Sequence, residues 1–169
     1  RYQGIANLNQ ESIKAAKNTR GIILVHNEEI CDTRYSKKKL VNHNKKEIDC
    51  LRYKTISTFL QENKTLIKNC DLILIDEGQF FEDIFICMDL VEKYQKNVCI
   101  FGLDGDYNRN EFGYILKLIP YCDSVIKLTG KCSRCNNKSI FSKRKKNYNS
   151  EQILVGNMYE PVCRTCYLK

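Results

Sequence analysis

The sequence predicts an α/β fold, a doubly wound and mostly parallel sheet followed by a small cysteine-bearing module. Three observations lead there. Short apolar runs alternate with helical patterns through the first 129 residues. Those runs are nearly continuous in Ile, Leu and Val, as strands buried on both faces are. Residues 130–169 then change character and carry two Cys-x-x-Cys pairs.

Taken in order, the segment Gly4 to Arg20 is irregular, with a helical stretch expected at Gln10 to Lys17 among Asn and Gly residues. Gly21 to Val25 reads as the first strand. Thr55 to Lys68 reads as a helix with Ile56, Phe59, Leu60 and Ile67 near one face. Asp71 to Ile75 is the next strand. Glu82 to Lys96 is a second helix, with Ile84, Met88 and Val91 on its stripe and Phe85 extending it. Strands follow at Val98 to Leu103 and Ser124 to Leu128. The basic, apolar-poor stretch Lys143 to Ser150 reads as a mobile loop.

Composition excludes several classes. No window approaches the ~18 consecutive apolar residues of a membrane span, and no signal-peptide pattern opens the chain. With 8 Gly and 2 Pro it is neither collagen-like nor low-complexity. The net charge of +8 would attract phosphate-bearing partners, but its lysines are scattered, as on a solvated surface. Of the 10 cysteines, Cys31, Cys50, Cys70, Cys87, Cys99 and Cys122 stand alone, several inside apolar runs where Cys serves as a small hydrophobe. Cys132, Cys135, Cys163 and Cys166 form the two pairs. Each short turn aims two sulfurs at one point, which suits a closed, structural tetrahedral Zn²⁺ site; two disulfides or plain reduced thiols are the alternatives. A reducing compartment suits this cysteine usage.

In an open parallel sheet, ligands bind at the carboxyl ends of the strands. Two strands here end in acids. Asp71 to Ile75 runs into Asp76-Glu77-Gly78-Gln79-Phe80-Phe81, and Val98 to Leu103 runs into Asp104-Gly105-Asp106. Apolar residues followed by an acidic pair form the Walker-B pattern, in which the first carboxylate faces Mg²⁺. The second then stands where a general base works. A strand that simply ends in solvated acids is the alternative.

The string Asp76-Glu77-Gly78-Gln79-Phe80-Phe81 resembles the signature of the cytosolic (type II) thymidine kinases. So do Leu103-Asp104-Gly105, Arg109, Phe112-Gly113, Ile119-Pro120 and Val125 to Thr129. Asp32-Thr33-Arg34-Tyr35 is similar to the family's phosphate-end loop, and the four paired cysteines to its zinc module. Ile153 to Gly156, Tyr159-Glu160 and Val162 to Tyr167 complete the resemblance, in the family's order throughout residues 22–168.

The resemblance implies a P-loop-kinase-like core over residues 1–129 and a zinc-binding lasso domain over residues 130–169. It implies transfer of the γ-phosphoryl group of ATP to the 5′-hydroxyl of thymidine, in a cytoplasmic homotetramer or homodimer without membrane or nucleic-acid partners. Carried onto this chain, Glu77 is the catalytic base and Asp76 the Mg²⁺-side acid. Asp32, Thr33, Arg34, Gly78 and Gln79 join them on the nucleotide side. Phe80, Leu103, Tyr107 and Phe112 match the walls of the thymine pocket. Gln152, Ile153, Leu154, Val155, Gly156 and Tyr159 match the lasso that closes over the nucleoside. Cys132, Cys135, Cys163 and Cys166 match the zinc ligands.

Departures from the family pattern generate further expectations. No G-x-x-x-x-G-K-[ST] occurs in these 169 residues, and Arg1-Tyr2-Gln3 resembles the end of the helix that follows such a loop. The phosphate cradle is therefore expected upstream of Arg1, and the 169 residues by themselves are expected to show little turnover. The stretch 4–20 is longer than the family's usual link, His26-Asn27-Glu28-Glu29 is atypical, and the loop from Gly156 to Tyr159 is short. Two other functions stay in view: a homologue that binds nucleoside or partner subunits without phosphoryl transfer, and a zinc-ribbon nucleic-acid binder using Lys143, Arg144, Lys145 and Lys146.

Overall fold

The computed structural model describes residue 14 and residues 16–26, 39–41, 47–145 and 158–169. Its centre is a four-stranded sheet built from β1 (Gly21–His26), β4 (Leu51–Tyr53), β5 (Leu72–Asp76) and β6 (Asn97–Ile100). Their order across the sheet is β4-β1-β5-β6, and every neighbouring pair is parallel. The strands β2 (Lys39–Val41) and β3 (Glu47–Asp49) form a separate antiparallel pair.

The apolar runs of β1 and β5 are buried almost end to end because both faces of the sheet are covered. Side chains alternate between those faces. Ile22, Leu24, Ile73 and Ile75 pack with Ile56, Phe59, Ile67, Phe81, Ile84 and Leu90 in the larger core. Ile23, Val25 and Leu74 pack on the other side with Ala16 and Cys50. Full burial of such a side chain contributes about 1.5–3 kcal/mol.

The helix expected from Thr55 to Lys68 is two helices, α1 (Ile56–Glu62) and α2 (Lys64–Asn69). The break falls at Asn63, which leaves the helical region at φ −118°, ψ 30°. Its side chain bonds to the Phe59 carbonyl at 3.0 Å and to the Tyr53 hydroxyl at 2.8 Å. At the other end, Thr55 Oγ1 accepts from the Thr58 amide, while the Asp83 carboxylate accepts from Ile56 and Ser57 N–H at 2.9 and 2.8 Å. These contacts satisfy donors that a helix start leaves open.

The stripe expected within Glu82 to Lys96 holds at Ile84 and shifts phase beyond it. The chain enters through a 3₁₀ turn at Ile84–Ile86 before α3 (Cys87–Glu92). The three-residue turn sets Cys87 below Ile84, and Leu90 follows on the same face of α3, so these three point inward. Phe85 and Val91, read as core-facing, are exposed at 38% and 44%.

Ser124 to Leu128 is not a strand. It has no ladder partner among the described residues, and Val125, Ile126 and Leu128 are exposed. β-Propensity reflects packing on a pleated surface, so without a neighbour it builds nothing.

The cysteine lobe comprises two antiparallel pairs and a closing helix. β7 (Gly130–Lys131) pairs with β8 (Lys138–Ser139), and β9 (Phe141–Arg144) with β10 (Tyr159–Val162). The helix α4 (Arg164–Leu168) follows. The stretch read as a loop from Lys143 thus begins inside a strand; its continuation through residues 146–150 lies outside the described residues.

Candidate active site

The sheet delivers two acids to its carboxyl edge. β5 ends on Asp76, which is 9% exposed, and the chain then turns sharply through Glu77 at φ 56°. A left-handed conformation at a non-glycine residue costs about 1 kcal/mol or more and marks a site the surroundings enforce. The Asp76 carboxylate accepts from the Glu77 amide at 3.1 Å. Burial, reinforced by the Glu77 charge, pushes the Asp76 carboxyl up to about 7 in spite of nearby Arg52.

Gln79 holds Glu77 in place. In the 3₁₀ turn Gly78–Phe80, Gln79 is 4% exposed. Its Oε1 accepts from the Leu103 amide at 3.0 Å, which leaves its Nε2 to donate to Glu77 Oε2 at 2.6 Å. The Leu103 donor decides which way the amide faces. Two glycines make room for it. A Cβ on Gly102 would stand 2.5 Å from Gln79 Oε1, and one on Gly113 would stand 2.0 Å from the Gln79 carbonyl oxygen. Gly113 also has φ +61°, which few side chains tolerate. The sequence places Gln79 among the nucleotide-side residues; its described contacts run to Glu77 and Leu103.

Leu103, Tyr107, Phe112 and Tyr159, all assigned from sequence to the substrate side, line one open recess with Gly105, Asp106 and Ser142. Phe80 stands behind it, edge-on to Phe112 with ring centres 5.5 Å apart. Phe80 and Phe81 in turn pack on the buried His26 at the end of β1, at 5.8 and 4.8 Å between ring centres. The recess floor is held by Asp106, whose carboxylate accepts from the Asn108 and Asn110 amides at 2.8 and 2.9 Å. Asp104, the other acid of that turn, pairs with Lys127.

The cysteine lobe abuts the same recess. The Tyr167 hydroxyl donates to the Tyr107 carbonyl at 2.8 Å, and the Arg109 guanidinium lies over the Tyr167 ring, 4.5 Å from its centre. Lys143 Nζ donates to the Tyr167 carbonyl at 2.7 Å. Arg144 packs on Tyr107. Half of the basic run that a nucleic-acid binder would present is thus engaged in contacts within the protein.

The four cysteine sulfurs lie within 4.8 Å of one another. Cys135 and Cys163 sulfurs are 3.5 Å apart, far beyond a disulfide bond, and all four are free thiols. Tetrahedral zinc with Zn–S bonds of ~2.3 Å requires sulfurs about 3.8 Å apart, so the cluster fits that ion. Burial pushes the Cys132 thiol up, but backbone N–H groups of Cys163, Arg134 and Cys135 outweigh it and bring it down to about 6. The Cys166 amide likewise lowers Cys163. Amides aimed at sulfur favour the thiolates a metal needs.

Asp32, Thr33 and Arg34, and Gln152, Ile153, Leu154, Val155 and Gly156, lie outside the described residues. Two participants escaped the sequence reading. Gly113 was visible only as half of a Phe-Gly pair, and Arg144 was hidden in a lysine run.

A model of the thymidine kinase family matches residues 7–167. The chain belongs to that family. It is 35% identical over 164 residues to a thymidine kinase of Oryza sativa, covering 95% of this chain and 60% of that protein. It is 38% identical over 141 residues to thymidine kinase a of Arabidopsis thaliana, covering 81% of this chain and 59% of the relative. A cytosolic thymidine kinase of Cricetulus griseus is 35% identical over 139 residues, 82% of this chain and 57% of its own length. The chain thus spans about three-fifths of these relatives. No helix among the described residues is long and apolar enough to cross a membrane.

Proposed function

We propose that the protein is a thymidine kinase that transfers the γ-phosphoryl group of ATP to the 5′-hydroxyl of thymidine, giving dTMP and ADP. The observation that carries this reading is the Gln79 bridge. One buried side chain joins Glu77 to the backbone of Leu103, a wall of the recess, so acid and recess are built as one unit.

In this reading the nucleoside base occupies the recess between Leu103, Tyr107, Phe112 and Tyr159, with Phe80 behind. Glu77 takes the 5′-hydroxyl proton as that oxygen bonds to the γ-phosphorus and the bond to the β-phosphate oxygen breaks. Glu77 works as a carboxylate held in place through one oxygen by Gln79. Asp76 would hold Mg²⁺, whose charge neutralises the phosphates and favours the ionised form of a carboxyl that burial alone disfavours. Asp32, Thr33 and Arg34 are assigned to the phosphate end. Backbone groups from Gln152 to Gly156 are assigned to the pyrimidine edge. Cys132, Cys135, Cys163 and Cys166 would hold Zn²⁺, closed to water and therefore structural. The core extends to residue 129, the lasso from residue 130, and the protein works in the cytoplasm as a homotetramer or homodimer.

The test is phosphate transfer by the complete gene product. With γ-labelled ATP, label is expected in dTMP and not in purine nucleotides. Failure to label any pyrimidine nucleoside would refute the assignment.

A further inference from the structure

Two walls of the recess, Tyr107 and Tyr159, come from different parts of the fold, the turn after β6 and the strand β10. Their ring centres are 6.0 Å apart at an angle of 45°. Arg144, on β9, binds both. Its guanidinium carbon lies 3.7 Å from the centre of the Tyr107 ring and 5.3 Å from that of Tyr159. Its Nη2 donates to the Tyr159 hydroxyl at 2.8 Å. At 3.7 Å the planar fork covers one face of Tyr107, so that face is closed to a bound base.

We propose that Arg144 is a positioning residue for nucleoside recognition, fixing Tyr107 and Tyr159 as two walls of a pyrimidine nucleoside pocket. This rests on the recess being the thymidine site. Arg144 fastens a ring of the core turn to a ring of the cysteine lobe, so the pocket takes shape only when lobe and core are docked. Arginine is required for this. A lysine ammonium offers no flat surface to lie on Tyr107 while a second nitrogen reaches Tyr159. Tyr107 then meets the base through its free face or its edge, and the Arg144 bond keeps Tyr159 from swinging into the recess.

The experiment compares Arg144→Lys and Arg144→Gln with the unaltered complete gene product, reading thymidine KM, ATP KM, kcat and bound zinc. Loss of the paired contacts is expected to raise thymidine KM about tenfold, with kcat within about threefold, ATP KM unchanged and zinc content unchanged. A thymidine KM that stays at its original value in both variants would overturn the proposal. So would a rise matched in ATP KM and accompanied by zinc loss, which would mean the lobe had merely collapsed. Should Arg144→Gln fail to fold, Tyr159→Phe keeps the ring and removes the hydroxyl that accepts from Arg144. Its effect on thymidine KM is expected to be several-fold and less than additive with that of Arg144→Lys, because both remove the bond between Arg144 and the Tyr159 hydroxyl; simple additivity would contradict the proposal. An unaltered protein that binds no thymidine refutes the kinase reading itself. Thymidine binding that is indifferent to Arg144 refutes this inference alone.

Discussion

Replacing Gln79 separates two jobs that its one amide performs. In Gln79→Ala the Leu103 amide, buried and bonded at 3.0 Å, loses its acceptor, which costs about 1–3 kcal/mol. The 2.6 Å bond to Glu77 goes as well, but Glu77 is only half-buried and water can replace part of it. The expected loss of stability is therefore about 3 kcal/mol, read as a shift in the urea unfolding curve. Gln79→Glu keeps the acceptor for Leu103 and turns the other end from donor to repelling oxygen. Two carboxyls at that distance cannot both ionise easily. The account predicts a smaller stability loss than for alanine, yet a kcat at neutral pH lowered about tenfold, with the acidic limb of the kcat–pH profile moved upward. A Gln79→Glu enzyme with the original rate and profile would refute the positioning role. An alanine variant as stable as the original would refute the packing that supports it.

Three further outcomes follow from the same geometry. Gly113→Ala forces a Cβ to 2.0 Å from the Gln79 carbonyl oxygen at φ +61°, and should cost about 2 kcal/mol or more in chemical denaturation; a neutral result would remove Gly113 from the scaffold of Gln79. Asp76 has a folded-state pKa of about 7 against an unfolded value of 3.8, so folding favours its protonated form. Its contribution is full below about pH 4 and is lost as pH rises to about 7, so in EDTA the Asp76→Asn variant should gain stability over the original across that window and match it below. Parallel urea midpoints at every pH would contradict the assignment. Cys163→Ser should release about one zinc per chain, measured by elemental analysis, and loosen the cysteine lobe to proteolysis; unchanged metal content would exclude the four-sulfur site.

Much of the core was legible because β1 and β5 are runs of Ile, Leu and Val long enough to be buried on both faces. The Asp76-Glu77 pair was legible because it ends such a run. The misreadings share a cause, which is dependence on partners distant in sequence or on local helix type. Ser124 to Leu128 carries Val, Ile and Leu as a strand would, but has no strand beside it among the described residues. The stripe at Ile84, Cys87 and Leu90 follows a 3₁₀ turn that the apolar spacing did not reveal. The bond that Gln79 makes to Leu103, 24 residues away, is likewise beyond local sequence. Arg144 looked like one more solvated cation because Tyr107 and Tyr159 meet it only in the folded chain.

Glu77→Gln tests the base assignment most directly. The substituted amide still offers an oxygen to Gln79 Nε2, so the turn and the recess should keep their shape while the proton acceptor is lost. With the complete gene product, single-turnover transfer from ATP to thymidine should slow by about 10²–10⁴-fold, with thymidine affinity nearly unchanged. Transfer at the original rate would contradict the account.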